Sequence, residues 1–493
     1  MYTFLTFFCT LALLATVTQL LRTRQRRHLA IIPGPFVASF CNLWKIAAIY
    51  REDMPGWNIS AHKRYGPVVR IGPNHVSFSS PEAFQRIYCS RDVFSKSDFY
   101  EVGAPIYRGE PLENLFSLRH VSRHAALRRS IGGLYTKASV SGFETRIDAC
   151  VALFVAQLEE KTRAGPARID MAMWLHFLAF DCLAEINLSK MLGFLETGQD
   201  VGGLIKTSDD IFNIVGLFTQ APLLQRLLRY LRSRVPAEEA EPILKYCISE
   251  ANSRTATSTP RADMLGKLLD VHSKHPDKVS TRDVTAAIFI NLRTAGHDVL
   301  AITLRAIFYY LCCNGRVRAK LRDEIRRLTH DIPPSQTAPS GEIAKLPYLN
   351  AVILETLRIH PNTGTILERQ TPPEGATIDG YFVPGGVTVG VNAWVLHRDR
   401  TIFGDEADAF RPERWLGAKE ERARMNQCLF SFGAGPHTCI GKNIAMMIIG
   451  KAVVEFYRRF DAELALPPPT HHWKVHGSWV TKQSDMDMII QQL

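Results

Sequence analysis

From about residue 81 to residue 360, hydrophobic positions recur mostly every three or four residues, the spacing of helices buried on one face. Breaks fall near Gly165-Pro166, Pro236, Thr259-Pro260 and Pro333-Pro334. Ahead of that stretch, Tyr65-Gly66-Pro67-Val68-Val69-Arg70-Ile71-Gly72-Pro73 reads as a strand closed by turn formers, with Val76-Ser77-Phe78 as its partner. Behind it, from Gly375 to Val391, Gly and Pro punctuate short β runs such as Tyr381-Phe382-Val383-Pro384. Residues 425–460 return to a loop and then a helix. This order predicts a mainly α domain with a small β region drawn from both ends of the chain. The longest helix is expected to run uninterrupted from Asp283 to Cys313, with Ser280 and Asp283 as its cap and Asn314-Gly315 as its stop. It is apolar on nearly every side after Thr285, so it should pass through the middle of the molecule.

The first apolar run obeys a different rule. Tyr2 to Leu21 are twenty residues without a charge, and as a helix they span about 30 Å, the thickness of a bilayer core. A cleaved signal peptide carries its positive charge before the run and a small-residue cleavage site after it. Here Arg22, Arg24, Arg26 and Arg27 follow the run, which by the positive-inside rule keeps them and the rest of the chain in the cytosol. Residues 1–21 therefore read as one transmembrane anchor and 22–35 as a basic hinge stiffened by Pro33-Gly34-Pro35. Residues 36–493 form the body.

Composition narrows what that body is. With 493 residues, 46% of them hydrophobic and 22% charged, it is neither collagen-like nor disordered. Ten cysteines without a CxxC or CxxH pair support neither a disulfide framework nor a zinc ribbon, and unpaired thiols suit the cytosol. The hinge arginines carry +4 of the net charge of +11. The remaining +7 is too mild to imply nucleic acid.

The chemistry concentrates in Phe432-Gly433-Ala434-Gly435-Pro436-His437-Thr438-Cys439-Ile440-Gly441, which runs into the helical Lys442-Asn443-Ile444-Ala445. A lone cysteine is usually an inert packing residue. This one sits where a glycine-rich loop enters a helix: glycines let the backbone approach a flat cofactor, and the helix N-terminus stabilises a thiolate. The stretch resembles the cytochrome P450 signature Phe-x-x-Gly-x-Arg-x-Cys-x-Gly, with His437 in the arginine's place. Further along the chain, Glu355-Thr356-Leu357-Arg358 resembles the family's Glu-x-x-Arg pair, and Phe410-Arg411-Pro412-Glu413-Arg414-Trp415 resembles its Pro-Glu-Arg-Phe motif. His124-Ala125-Ala126-Leu127-Arg128 resembles the Trp-x-x-x-Arg helix, with His124 for tryptophan, and Arg369 follows Pro361 at the usual distance.

That resemblance implies the cytochrome P450 fold around a heme b, with Cys439 as the thiolate ligand of the iron. Phe432 and Gly433 would lie against the heme; His124, Arg128, Arg369 and His437 would hold its propionates. Glu355, Arg358 and Arg414 would form a buried, structural charge cluster that supports the thiolate loop. Alone, each of these residues reads as an ordinary packing or surface residue; their order along residues 30–493 makes the match specific.

The central helix departs from the family pattern Ala/Gly-Gly-x-Asp/Glu-Thr-Thr. The chain has Ala295-Gly296-His297-Asp298-Val299-Leu300. Gly296 keeps the groove over the heme and Asp298 keeps the acid, but Val299 stands where a threonine hydroxyl assists oxygen activation. Valine matches threonine's shape and neither donates nor accepts a hydrogen bond. Three readings stay open: a monooxygenase in which a substrate hydroxyl or water supplies the proton; an oxidase whose outcome is desaturation, ring closure, ring expansion or coupling; and a redox-neutral isomerase or dehydratase. A non-catalytic heme carrier is a weaker fourth. His297 reads as a packing residue, and Thr303, about 6 Å along the helix, is too remote to replace the hydroxyl simply.

The resemblance also implies electrons from NADPH-cytochrome P450 reductase, with cytochrome b5 as a further donor, a basic docking face to which Lys442 contributes, and a place in the endoplasmic reticulum membrane. The small-molecule substrate should be apolar, bounded by residues 99–116, 205–225, 362–367 and 478–480, with Ile211, Phe212, Val215, Phe218, Thr363, Ile366 and Trp479 among the contacts. Phe180-Asp181, residues 193–198 and Asp405 to Phe410 resemble filamentous-fungal, pisatin-demethylase-like members that tailor secondary metabolites.

Overall fold

The computed structural model describes residues 28–90, 94–220, 230, 234, 242–256, 261–293, 295–466 and 473–493. The expected anchor, residues 22–27 of the hinge and the breaks at Pro236 and Thr259-Pro260 lie outside these residues, as do the side chains of Val215 and Phe218.

Five strands form the main sheet: β1 (Val68–Gly72), β2 (His75–Phe78), β3 (Ser95–Lys96), β4 (Arg369–Gln370) and β5 (Thr388–Val391), in the order β1-β2-β5-β4-β3. β1 and β2 pair antiparallel, Val68 opposite Phe78, as their turn formers predict. The sheet does draw on both ends of the chain. β3 and β4 pair with Lys96 opposite Arg369.

Six helices position the site: α1 (Val121–Ile131), α2 (Met171–Leu188), α3 (Thr281–Arg293), α4 (His297–Cys313), α5 (Pro347–Ile359) and α6 (Lys442–Tyr457). α2 is apolar and long enough to cross a bilayer, but 89% of it is buried, so it is a core helix packed on α4. Their apolar faces share one core, in which Phe180, Phe289, Phe308 and Phe456 are fully buried.

The expected uninterrupted central helix is two helices. α3 ends at Arg293 and α4 begins at His297. At the junction the Ala295 N–H donates to the Ile290 carbonyl at 3.1 Å, a reach of five residues instead of four, which widens the turn. A Cβ on Gly296 would stand 2.2 Å from the Asn291 carbonyl oxygen and 2.5 Å from Leu183, so only glycine fits there. Hydrophobic periodicity continued across residues 294–296 and hid the break. The cap formed as expected: Ser280 N–H donates to Asp283 Oδ2 at 2.8 Å and Asp283 N–H to Ser280 Oγ at 3.2 Å. The stop at Asn314 also formed, though Gly315 opens the next helix at once.

Candidate functional site

The loop before α6 is shaped by two glycines in the left-handed region, Gly433 (φ +68°) and Gly435 (φ +58°). A Cβ on Gly435 would lie 2.0 Å from the Tyr88 carbonyl oxygen, so the loop packs against the rest of the body at a distance no side chain permits. The Cys439 N–H donates to the Phe432 carbonyl at 2.7 Å and closes the loop. Cys439 is exposed to a cavity of about 620 Å³ that it lines with His124, Arg128, Tyr135, Pro436 and Lys442. Burial pushes its thiol up; the N–H groups of Gly441 and Lys442 and the charges of Arg128 and Lys442 act in the opposite direction. Lys442 lies over the Phe432 ring at 5.4 Å.

The sequence-predicted residues His124, Arg128, Arg369 and His437 come together beside this loop. The His124 and His437 rings are 4.3 Å apart. Burial first, then Arg369 and Lys96, pushes His437 down to about 2; burial, Lys96 and Arg128 push His124 down to about 4. Both imidazoles are therefore neutral at pH 7. The buried Nδ1 of His437 has no hydrogen-bond partner among the described residues. Arg369 is buried, donating to Tyr100 Oη and the Glu368 carbonyl, both at 2.8 Å. Lys96 completes the group. Sequence reading passed over it because no motif marks Ser95-Lys96-Ser97; the pairing of β3 with β4 puts it there.

Below the loop, Glu355 and Arg358 on α5 share a face three residues apart and are both fully buried. Glu355 accepts from Arg358 Nη2 at 2.8 Å, Arg414 Nε at 2.9 Å and Trp415 Nε1 at 2.9 Å. The cluster reaches the loop through His397, whose Nδ1 donates to the Arg358 carbonyl at 2.9 Å while its Nε2 accepts from the Phe430 N–H at 2.8 Å. Ser431 Oγ adds a bond to the Leu357 carbonyl.

A buried acid–arginine cluster hung beneath a cysteine loop, with a broken central helix above, is an arrangement that can be compared with known proteins. The sequence profile described as cytochrome P450 matches residues 33–486. The chain belongs to the cytochrome P450 family. It is 34% identical over 462 residues to a cytochrome P450 monooxygenase of Aspergillus terreus, covering 91% of this chain and 93% of that protein. It is 33% identical over 469 residues to pisatin demethylase of Fusarium vanettenii, covering 93% and 88%. The crystal structure of the cytochrome P450DA heme domain superposes with a TM-score of 0.77 at 15% identity, over 94% of this chain and 98% of that one, and shows the same fold. The chain is thus an oxidoreductase of a family built around heme-thiolate iron.

The residues present fit that group. Cys439 opens onto the cavity from the N-terminus of α6. Lys96, Arg128 and Arg369 gather at one edge without a carboxylate pairing with any of them among the described residues, and His437 leaves a buried nitrogen unpartnered. A dianionic cofactor edge answers both features.

The distal residues are placed differently from one another. Gly296 is at the helix break and Val299 is the third residue of α4, within its first turn. Thr303 Oγ1 is 3.0 Å from the Val299 carbonyl and within 3.0 Å of Asn362 Nδ2, so its hydroxyl is engaged locally. Asp298 is buried and paired with Lys482 at 2.7 Å, with His176 at 3.5 Å and His297 at 3.7 Å. Burial pushes its carboxyl up, but Lys482 and His297 outweigh that and hold it below its ordinary value. It is an ion-paired carboxylate here. His297 packs as expected, stacked on Phe180 at 4.1 Å, and its Nδ1 is 2.8 Å from His176 Nε2. His176, His297 and Asp298 are close enough together for a metal ion. Lys482 and the Arg305 guanidinium, 3.1 Å from His176 Nδ1, already supply that positive charge.

The expected substrate-facing segments also converge. The Trp479 ring lies 5.2 Å from Phe99, 5.6 Å from Phe116 and 5.3 Å from Phe212. Ile302 of α4 and Val480 join Phe212 in one apolar cluster, and Thr363 bridges to Val480.

Proposed function

We propose that the chain is a heme-thiolate monooxygenase that oxidises an apolar small molecule in a fungal secondary-metabolite pathway. The observation that carries this reading is Cys439 opening onto its cavity beside a set of cations that no carboxylate pairs among the described residues. Cys439 would ligate the iron, Phe432 and Gly433 would back it, and His124, Arg128, Arg369 and His437 would hold the propionates. When bound, the heme supplies the activation of O₂ for oxygen insertion into a C–H bond. The chain's own residues do the rest. The N–H groups of Gly441 and Lys442 stabilise negative charge on the sulfur. Phe99, Phe116, Phe212 and Trp479 bind an apolar guest and exclude water. Gly296, expected to keep a groove open, instead has the space a side chain would fill taken by the Asn291 carbonyl and Leu183.

Electrons would come from NADPH through a flavoprotein reductase, with cytochrome b5 as a further donor. The exposed Arg129 and Lys442, both at the Cys439 cavity, support a basic docking face. The apolar run 2–21 followed by arginines supports anchorage in the endoplasmic reticulum membrane with a cytosolic body. Val299 favours a second reading, in which the outcome is rearrangement, ring expansion, desaturation, coupling or redox-neutral isomerisation, because no hydroxyl at that position assists proton delivery.

Reconstitution with reductase and a fungal extract tests both, with NADPH consumption and product followed together. Oxygenated product coupled to NADPH supports the first reading; product formed without electrons replaces it with isomerase chemistry. Cys439→Ala should abolish the red-shifted carbon-monoxide spectrum, and its persistence would overturn the ligand assignment. Val299→Thr should raise the fraction of NADPH that ends in product. Unchanged coupling would show that the missing hydroxyl has no consequence.

A further inference from the structure

Two buried cations face each other across a strand pair. Lys96 on β3 is the register partner of Arg369 on β4, and each is only 4% exposed. Like charges opposite one another on neighbouring strands repel, and burial strengthens the repulsion because little water screens it. Arg128 adds a third cation: it and Arg369 are the charges that, after burial, push the Lys96 ammonium down to about 7. Nearby carboxylates do not offset this. Glu101 is paired with Arg119 at 2.6 Å, and Glu368 accepts from Ser97 Oγ at 2.6 Å and lies 3.7 Å from His75. The arrangement is unfavourable as it stands and becomes favourable once an anion enters it.

Lys96 has a donor to spare for that anion. Its ammonium carries three N–H groups. Two go to the carbonyls of Leu115 (2.7 Å) and Phe116 (2.8 Å). Among the described residues no third acceptor is bonded to it, only the Tyr100 ring at 5.3 Å, in a group that also includes the unpartnered Nδ1 of His437. At position 437 the family signature has arginine, a long side chain with five N–H donors; this chain has the shorter histidine, with two ring nitrogens.

We propose that Lys96 binds the carboxylate edge of the heme and supplies a cationic donor in a chain that lacks the arginine of the family signature. It acts as a compact point charge rather than a bidentate fork, with Arg128 and Arg369 as its companions. This inference rests on the heme-thiolate reading of Cys439 and adds to it a binding residue that no motif marks. The competing explanation is that Lys96 merely ties the segment 115–116 to β3 through the two carbonyls. Glutamine can donate to a carbonyl without carrying a charge, and so separates the two.

The test follows transfer of heme from the purified, heme-loaded full chain to excess apomyoglobin, with the reduced carbon-monoxide spectrum as a check on the thiolate. Lys96→Gln should lose heme at least roughly tenfold faster than wild type, the scale of one charge-assisted hydrogen bond. Adding His437→Arg to Lys96→Gln should return the rate to within about threefold of wild type, since arginine at 437 restores the signature's cation while glutamine at 96 keeps a donor for the carbonyls of residues 115–116. Unchanged loss from Lys96→Gln overturns the proposal. So does fast loss that His437→Arg fails to rescue, which would assign Lys96 to holding the segment. Wild-type protein without a red-shifted carbon-monoxide spectrum would instead overturn the heme-thiolate reading itself.

Discussion

Two buried charge clusters flank the cysteine loop, and they are built on opposite principles. Under the loop, the Glu355 carboxylate is surrounded by donors from Arg358, Arg414 and Trp415, and the Arg358 guanidinium spends its remaining N–H groups on the carbonyls of His397, Ala407 and Ala409. Beside the loop, Lys96, Arg128 and Arg369 gather around two neutral imidazoles, and no carboxylate pairs with any of them among the described residues. The first cluster is closed by hydrogen bonds within the polypeptide, its carboxylate and carbonyls answering the guanidinium donors. The second has no carboxylate to close it among the described residues. Buried ionic groups that close on themselves hold a fold together; those left with one sign of charge mark where a ligand of the other sign belongs.

The largest expected effect breaks the closed cluster. Glu355→Ala would strand two guanidiniums in the core, costing about 3–5 kcal/mol against a total stability of about 5–15 kcal/mol. Little folded heme protein should be recovered, as measured by carbon-monoxide difference spectra and circular dichroism. A variant that melts like wild type would erase the distinction drawn here.

Next in size is a substitution whose sign depends on the cofactor. Arg369→Leu relieves cross-strand repulsion in the heme-free protein but removes an anion partner from the loaded one. Heme loss should accelerate by about tenfold, while the melting temperature of heme-stripped protein should hold or rise. A drop in both states would make the second cluster structural like the first.

A smaller effect reads the link between the closed cluster and the loop. His397, buried between the Arg358 carbonyl and the Phe430 N–H, is pushed down to about 3, chiefly by burial. Unfolded, it titrates near 6.5. Between these values the unfolded chain holds the proton more readily, so stability is complete above about pH 6.5 and declines as pH falls toward 3. Melting curves from pH 7 to pH 5 should show this decline. His397→Gln should flatten its slope, and an unaltered slope would assign the acid sensitivity elsewhere.

The smallest effect is a control for burial. Lys274 and Asp270 pair at 2.7 Å on an exposed helix face, with side chains 65% and 57% accessible. Lys274→Ala should change stability by no more than about 0.5 kcal/mol in chemical denaturation. A larger loss would mean that pairing alone, without burial, sets the ranking.

Much of this was legible in the chain itself. Glu355 and Arg358 are three apart, so any helix puts them on one face. The glycines around Cys439 announce a loop that must approach something closely, and the Ser280–Asp283 cap formed where its residues predict. The central helix misled because hydrophobic periodicity reports which side of a helix is buried, not whether its backbone bonds run unbroken through Ala295-Gly296. Asp298 read as an available acid because Lys482, its partner, comes from a hairpin near the far end of the chain.

The sequence by itself determined the family, the loop, the candidate ligand cysteine and the spacing of the acid–arginine pair, because each is set by residues within a few positions of one another. Only the tertiary structure decided which charges are answered. That Lys96 faces Arg369 and that Asp298 is taken by Lys482 follow from strand register and helix packing between distant segments. The energy of a buried charge depends on what stands within a few ångströms of it, and no local pattern encodes that.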